Sequence, residues 1–352
     1  MNEKKKSVIN RIRGKITAYP KISISNVQVT PVEYLGRVSR DLELEVYVKR
    51  DDISGPAYGG HYSRALEYVF GEVVQGGYDG VVHGGPTQSN QNRIIAAACA
   101  KHGLKAHLVL RKRLPVDQQD VGNLFLNQLM GADIKWVTAE MGPELDAEKE
   151  VRYNELIGAG QNPYLFRRDR VAYLSCLGML DLFLDTYEQL DGKGIVPEII
   201  YLTGCGPTHS GFLLGTLLVE PEISVIGVRP LHWDANEIVS REVNTTASAL
   251  GESININTEN VINSPEYVGE DYGIPTQKGN EAIRYFAERE ALIFDPVYTG
   301  KMAACFLDHA MEGKIKKDSR VLLIHSGGTP LTLLYSDEIY KSLGMKLDEP
   351  SK

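Results

Sequence analysis

Cysteine is scarce in this sequence: four residues, Cys99, Cys176, Cys205 and Cys305, in a chain of 352. They lie far apart, with no CxxC pair and no histidine cluster at metal-ligand spacing. Neither a disulfide scaffold nor a metal site is therefore expected, and a reducing cytoplasm fits best. Long apolar runs are lacking as well, so no membrane contact is expected. The opening MNEKKKSVINRIRGK is basic without the apolar core of a secretion signal, and reads as a solvated tail. Nor is there an excess of positive charge: 46 acidic residues face 38 basic ones, a net charge of -8. That balance speaks against nucleic acid as a partner.

What is present is the composition of an ordinary folded chain, 43% hydrophobic and 24% charged, enough for one or two cores. Short β-branched runs alternate with longer amphipathic stretches, the pattern of parallel sheets covered by helices. ELEVYVKR, GVVHGG, KAHLVLR and DIKWVTA read as strands. SRALEYVFGEVVQGG, SNQNRIIAAACAKHG and QDVGNLFLNQLMG read as the helices between them, the first with Leu66, Val69, Phe70 and Val73 at helical spacing. VAYLSCLGMLDLFLDTYEQL is apolar on most faces and predicts a helix buried between lobes. A second α/β run starts at EIIYLTGCGPTHSGFLLGTLL and closes with RVLLIHSGG. The expected architecture is α/β and two-lobed, a small lobe of residues 59–182 inserted in a large lobe of residues 1–58 and 183–352. The cleft between them is the expected ligand site.

Several stretches carry chemistry. TGCGPTHSG is a glycine-rich turn between strand and helix, and its backbone N–H groups with the helix N-terminus could cradle a phosphate. A tight connection without a ligand is the rival, and Pro207 has no N–H to contribute. TQSNQN opens a helix; Ser89 or Asn90 suits an N-cap, while the whole polar cluster suits a carboxylate. Tyr272 in EDYGIPT and Tyr298 in DPVYTGK stand beside turns, where packing is the commoner role for a tyrosine. Ser326 in HSGGTP follows a hydrophobic strand, at the end that faces ligands in an open sheet.

Taken in order, VKRDDISG, QSN, YGIPT, DPVYTGK and HSGGTP resemble pyridoxal-phosphate enzymes of the tryptophan-synthase β-subunit fold (fold type II). Within them the chain resembles the 1-aminocyclopropane-1-carboxylate deaminase and D-cysteine desulfhydrase family. The likeness runs from about TPVEYLG through HSGGTPLTLLY. It implies that Ser89 and Asn90 contact the substrate carboxylate and the cofactor ring, with Gln91 beside them where the family has histidine. It implies that Gly204, Cys205, Gly206 and Thr208 grip the cofactor phosphate, that Tyr272 and Tyr298 line the substrate pocket, and that Ser326 approaches the pyridine nitrogen. Family members commonly form dimers, so a homodimer is expected.

The chain departs from that pattern at GGHYSRALEY, where Gly59, Gly60, His61 and Tyr62 stand in place of two glycines, an asparagine and the imine-forming lysine. A phenol cannot form an imine. Pro207 replaces a loop glycine, and GGPTQSN carries an additional residue. Lys49 and Lys301 match lysines the family also carries, and no relocated catalytic lysine is evident. The expectation is thus a diverged enzyme acting on a small amino-acid-like substrate, with no covalently bound cofactor. His61 and Tyr62 would serve as an acid/base pair, Tyr298 would assist, and Cys205 is a candidate nucleophile, stabilised by a helix N-terminus with His209 one turn on. The alternatives are a non-catalytic amino-acid-binding or partner-supporting protein, and an ordinary lyase or deaminase with noncovalent pyridoxal phosphate.

Overall fold

The computed structural model describes residues 3–25, 27, 29–112 and 120–345. The chain begins with α1 (Glu3–Ile16), β1 (Val32–Tyr34), α2 (Gly36–Leu42) and β2 (Glu45–Lys49). There follow α3 (Tyr62–Ala65), α4 (Glu67–Gln75), β3 (Gly80–Pro86), α5 (Asn90–His102), β4 (Lys105–Arg111), α6 (Gly122–Leu129), β5 (Asp133–Val137), α7 (Pro143–Gly158) and β6 (Pro163–Leu165). Next are α8 (Arg168–Asp191), β7 (Ile199–Thr203), α9 (Pro207–Val219), β8 (Ser224–Val228), α10 (Ala235–Ala249) and β9 (Ile262–Ser264). The last elements are α11 (Gln277–Glu290), α12 (Thr299–Met311), β10 (Arg320–Ile324), α13 (Thr329–Leu334) and α14 (Ser336–Ser342).

The strands form two sheets, a six-stranded one in the order β1-β2-β10-β7-β8-β9 and a four-stranded one in the order β5-β4-β3-β6. Among the described residues only the β1–β2 pair is antiparallel. Parallel sheets need cover on both faces, and β10 shows it: Val321, Leu322, Leu323 and Ile324 are all buried. Because the strands run parallel, the loops after β2, β7 and β10 leave one end of the large sheet, the usual place for a ligand in an open α/β sheet.

The helix expected over 63–77 is bent at Leu66 into α3 and α4. Its hydrogen bonds run through the bend, from Leu66 N–H to Tyr62 O (3.0 Å) and from Phe70 N–H to Leu66 O (2.8 Å). α8 is buried on nearly every side, as its apolar composition implies, and packs against α9. The two helices approach closely because α9 carries Gly211, where a Cβ would sit 2.4 Å from Met179 Cβ.

The N-terminal basic segment corrects an expectation. It is a docked helix, not a solvated tail: Ile9, Ile12 and Ile16 share one face of α1 and are buried. Its cations meet acids of the body, Arg13 with Asp181 (3.3 Å), Asp185 (2.8 Å) and Glu188 (2.6 Å) on α8, and Lys15 with Glu252 (2.5 Å). The isoleucine spacing was the available signal, hidden behind the lysines. Among the described residues no helix is long and apolar enough to cross a membrane, and no group of three metal-ligating side chains occurs.

Candidate active site

One large cavity of about 730 Å³ opens where the strand ends of the two sheets meet. All the candidate site residues line it: His61, Tyr62, Ser89, Asn90, Gln91, Gly204, Cys205, Gly206, Thr208, Tyr272, Tyr298 and Ser326. Residues scattered over most of the sequence converge because most lie at the end of a strand or the start of a helix, Tyr272 coming instead from the loop between β9 and α11.

The glycines before His61 have a packing reason. Gly60 takes φ +118° and Gly327 takes φ +102°, conformations that side chains disfavour. A Cβ on Gly327 would sit 2.7 Å from Gly60 Cα. This backbone contact lets His61 N–H donate to Ser326 O (3.0 Å), which fixes the start of α3 against the end of β10. The His61 ring places Nε2 3.3 Å from Thr208 Oγ1 and stacks at a tilt on Tyr62, centroids 4.4 Å apart. Burial pushes the imidazole down to about 4, so it is neutral near pH 7. Burial raises the Tyr62 phenol, with Tyr272 and Cys205 adding to the shift, so Tyr62 is a hydrogen-bond donor.

In the QSN segment, capping and contacts between elements divide among the residues. Ser89 caps α5, its Oγ accepting from Asn92 N–H (3.3 Å). Asn90 Oδ1 accepts from Arg93 Nη2 (3.1 Å) and Asn123 Nδ2 (2.9 Å), tying α5 to α6. Gln91 hydrogen-bonds the His83 ring, which burial and then Lys149 push down to about 3. Arg93 is buried and donates to Gly59 O (3.0 Å), so α5 also anchors the loop carrying His61.

Tyr272 and Tyr298 meet hydroxyl to hydroxyl, their rings edge-on at 6.0 Å. Asp295 holds Tyr298 in place: its carboxylate accepts from the N–H groups of Val297 (2.9 Å), Tyr298 (2.8 Å) and Thr299 (3.0 Å). Burial, then Tyr272 and Tyr62, raise the Tyr298 phenol far above its ordinary value.

The glycine-rich turn differs from the expectation for Cys205. A helix N-terminus would favour a thiolate, yet burial and the neighbouring Glu242 push this thiol up to about 12. His209, one turn on, is buried against β8, where a Cβ on Gly227 would meet its Nδ1 at 2.3 Å, and it does not line the cavity. Glu242 of α10 was not singled out in the sequence. Its carboxyl lies over the turn, accepts from Ser210 Oγ (2.7 Å), and is pushed up to about 7 by burial.

Lys49 and Lys301 are fully buried and donate to Thr30 O (2.6 Å) and Val268 O (2.6 Å). Burial lowers both to about 8, and neither lines the cavity. Lys149 of α7 is the one lysine among the described residues that does. It was also missed, because its charged helix resembles a solvated one; Nζ pairs with Asp146 (2.6 Å) and donates to Phe166 O (3.2 Å). These residues do not fit a pyridoxal phosphate held through residue 62: Tyr62 has no amine. At the turn, Gly204 N–H is committed to Val228 O (3.2 Å) and Pro207 has no N–H to give.

A family model described as pyridoxal-phosphate dependent enzyme matches residues 25–327. A protein of Pyrococcus abyssi described as a candidate 1-aminocyclopropane-1-carboxylate deaminase is 32% identical over 336 residues, 95% of this chain and 99% of its own. A solved structure of an ACC deaminase homologue superposes with a TM-score of 0.84 at 28% identity, covering 97% of this chain and 100% of its own. Threonine deaminase isoform 2 of Solanum lycopersicum gives 0.66 at 15% identity over 98% of this chain and 90% of its own, a likeness of fold.

Proposed function

The chain belongs to the pyridoxal-phosphate dependent enzyme family, and from that premise we propose a diverged enzyme acting on a small amino-acid-like substrate without a lysine-bound cofactor. The observation that carries this reading is Tyr62 on the cavity wall, with Tyr272 and Cys205 near enough to shift its phenol. Bound in this family, pyridoxal phosphate serves as an electron sink. Here the chain's own groups do the work. Ser89 uses a lone pair on Asn92 N–H and keeps its hydroxyl hydrogen for a substrate carboxylate at the start of α5. Tyr62 and the Tyr272–Tyr298 pair present phenol hydrogens to an oxygen that gains negative charge. The reaction class is elimination, deamination, cyclisation or group transfer.

The same proposal takes residues 59–182 as the inserted lobe, which contains the whole four-stranded sheet. It includes a cytoplasmic homodimer, tested by light scattering and cell fractionation. A second reading, a non-catalytic amino-acid-binding protein, draws support from His61: Nδ1 is shut off from solvent and Nε2 faces Thr208, so neither nitrogen is presented to a substrate.

The test is an absorbance spectrum with and without pyridoxal phosphate, then borohydride reduction and peptide mass mapping. No adduct on a cavity lysine is expected; an adduct on Lys149 would overturn the reading. Incubation with a panel of small amino acids separates the two readings, since the enzyme consumes one of them and the binding protein returns it unchanged.

A further inference from the structure

The glycine-rich turn before α9 is the natural anion site of this cavity, and Glu242 already stands at it. A Cβ on Gly206 would lie 3.7 and 3.9 Å from the two carboxyl oxygens of Glu242, so the carboxyl packs directly on the turn. Ser210, in the first turn of α9, donates to it at 2.7 Å. Thr208, the other hydroxyl of that turn, is beside His61 Nε2. The two side-chain hydroxyls of that turn therefore have other partners, and the helix N-terminus faces a carboxyl of the protein itself.

We propose that Glu242 is a specificity-determining residue that closes the turn to phosphate, so that the ligand end reaching it is uncharged or cationic. This rests on the reading above only in placing the ligand in this cavity. An ionised carboxylate repels a second anion at this range. The groups around Glu242 are Ser210 on α9, the neutral Cys205 thiol on the turn, Asp169 at the start of α8, the Cys176 thiol further along α8, which burial pushes up to about 12, and Arg241 on its own helix. Since burial pushes Glu242 up to about 7, the exclusion holds above neutrality and lapses in acid.

The probes are 4′-deoxypyridoxine and its 5′-phosphate, compared by calorimetry on wild type and Glu242→Gln. Neither carries an aldehyde, so an imine on Lys149, which would sink the preceding reading, cannot influence the result. At pH 8 wild type is expected to favour the phosphate ester by less than about tenfold, and Glu242→Gln to shift the ratio toward the ester by about tenfold or more. At pH 5.5 the gap between the two proteins closes. Should the Gln variant not fold, wild type alone must move toward the ester between pH 8 and pH 5.5, although the phosphate loses charge over that range. A wild-type preference for the ester of about tenfold or more at pH 8, or a ratio that Glu242→Gln leaves unchanged, including through failure of both probes to bind, overturns the proposal.

Discussion

A phenol at position 62 asks little of its surroundings beyond an acceptor, whereas an amine would need to be kept unprotonated to react. Burial holds the Tyr62 phenol neutral, and the His61 imidazole beside it neutral as well. Tyr62→Phe keeps the ring packing on His61 and loses only the donor. Turnover of the substrate is expected to fall by between about tenfold and a hundredfold with the melting temperature little changed; steady-state kinetics and a thermal melt check both. Glu242 gives a pH signature. Its folded pKa is raised, so its contribution to stability is full below about 4.5 and is lost as pH rises through about 7. Urea unfolding of wild type against Glu242→Gln should show wild type losing on the order of 3 kcal/mol relative to the variant between those limits.

At the scale of elements, α1 and α8 depend on buried faces more than on local propensity. Ile12 is wholly buried between α1 and the body, so Ile12→Ala is expected to cost about 2–5 kcal/mol, read from the urea midpoint. Gly211→Ala drives a methyl into Met179 and should lower stability, although alanine is the better helix former. The strands and the helices around the cavity were legible because their periods are plain: KAHLVLR is β4, and of the two N-cap candidates, Ser89 and Asn90, it is Ser89 that caps α5. α1 was not, because a run of lysines obscured three isoleucines whose spacing matters only once α8 and α9 are there to cover them.

For the whole molecule, several histidines are held in the neutral form. Burial pushes His61 and His209 down to about 4 and His83 to about 3. A depressed histidine pKa means that stability is full above about 6.5 and is lost as pH falls toward 4. Urea midpoints should therefore drop over that window, opposite in sense to the Glu242 effect, and the drop should be smaller in His209→Gln than in wild type.

The sequence by itself determined the alternation of strand and helix, the family likeness and a core set of residues that line the cavity, because these follow from local periods and from short contiguous motifs. Tertiary structure alone decided which groups those residues face. Glu242 reaches the turn from α10 and Lys149 reaches the cavity from α7, each remote in sequence from the motif it modifies. The Cys205 thiol shows the physical reason: the local sequence promised a helix N-terminus, but its ionisation depends on burial and on Glu242, and both exist only after distant segments have packed.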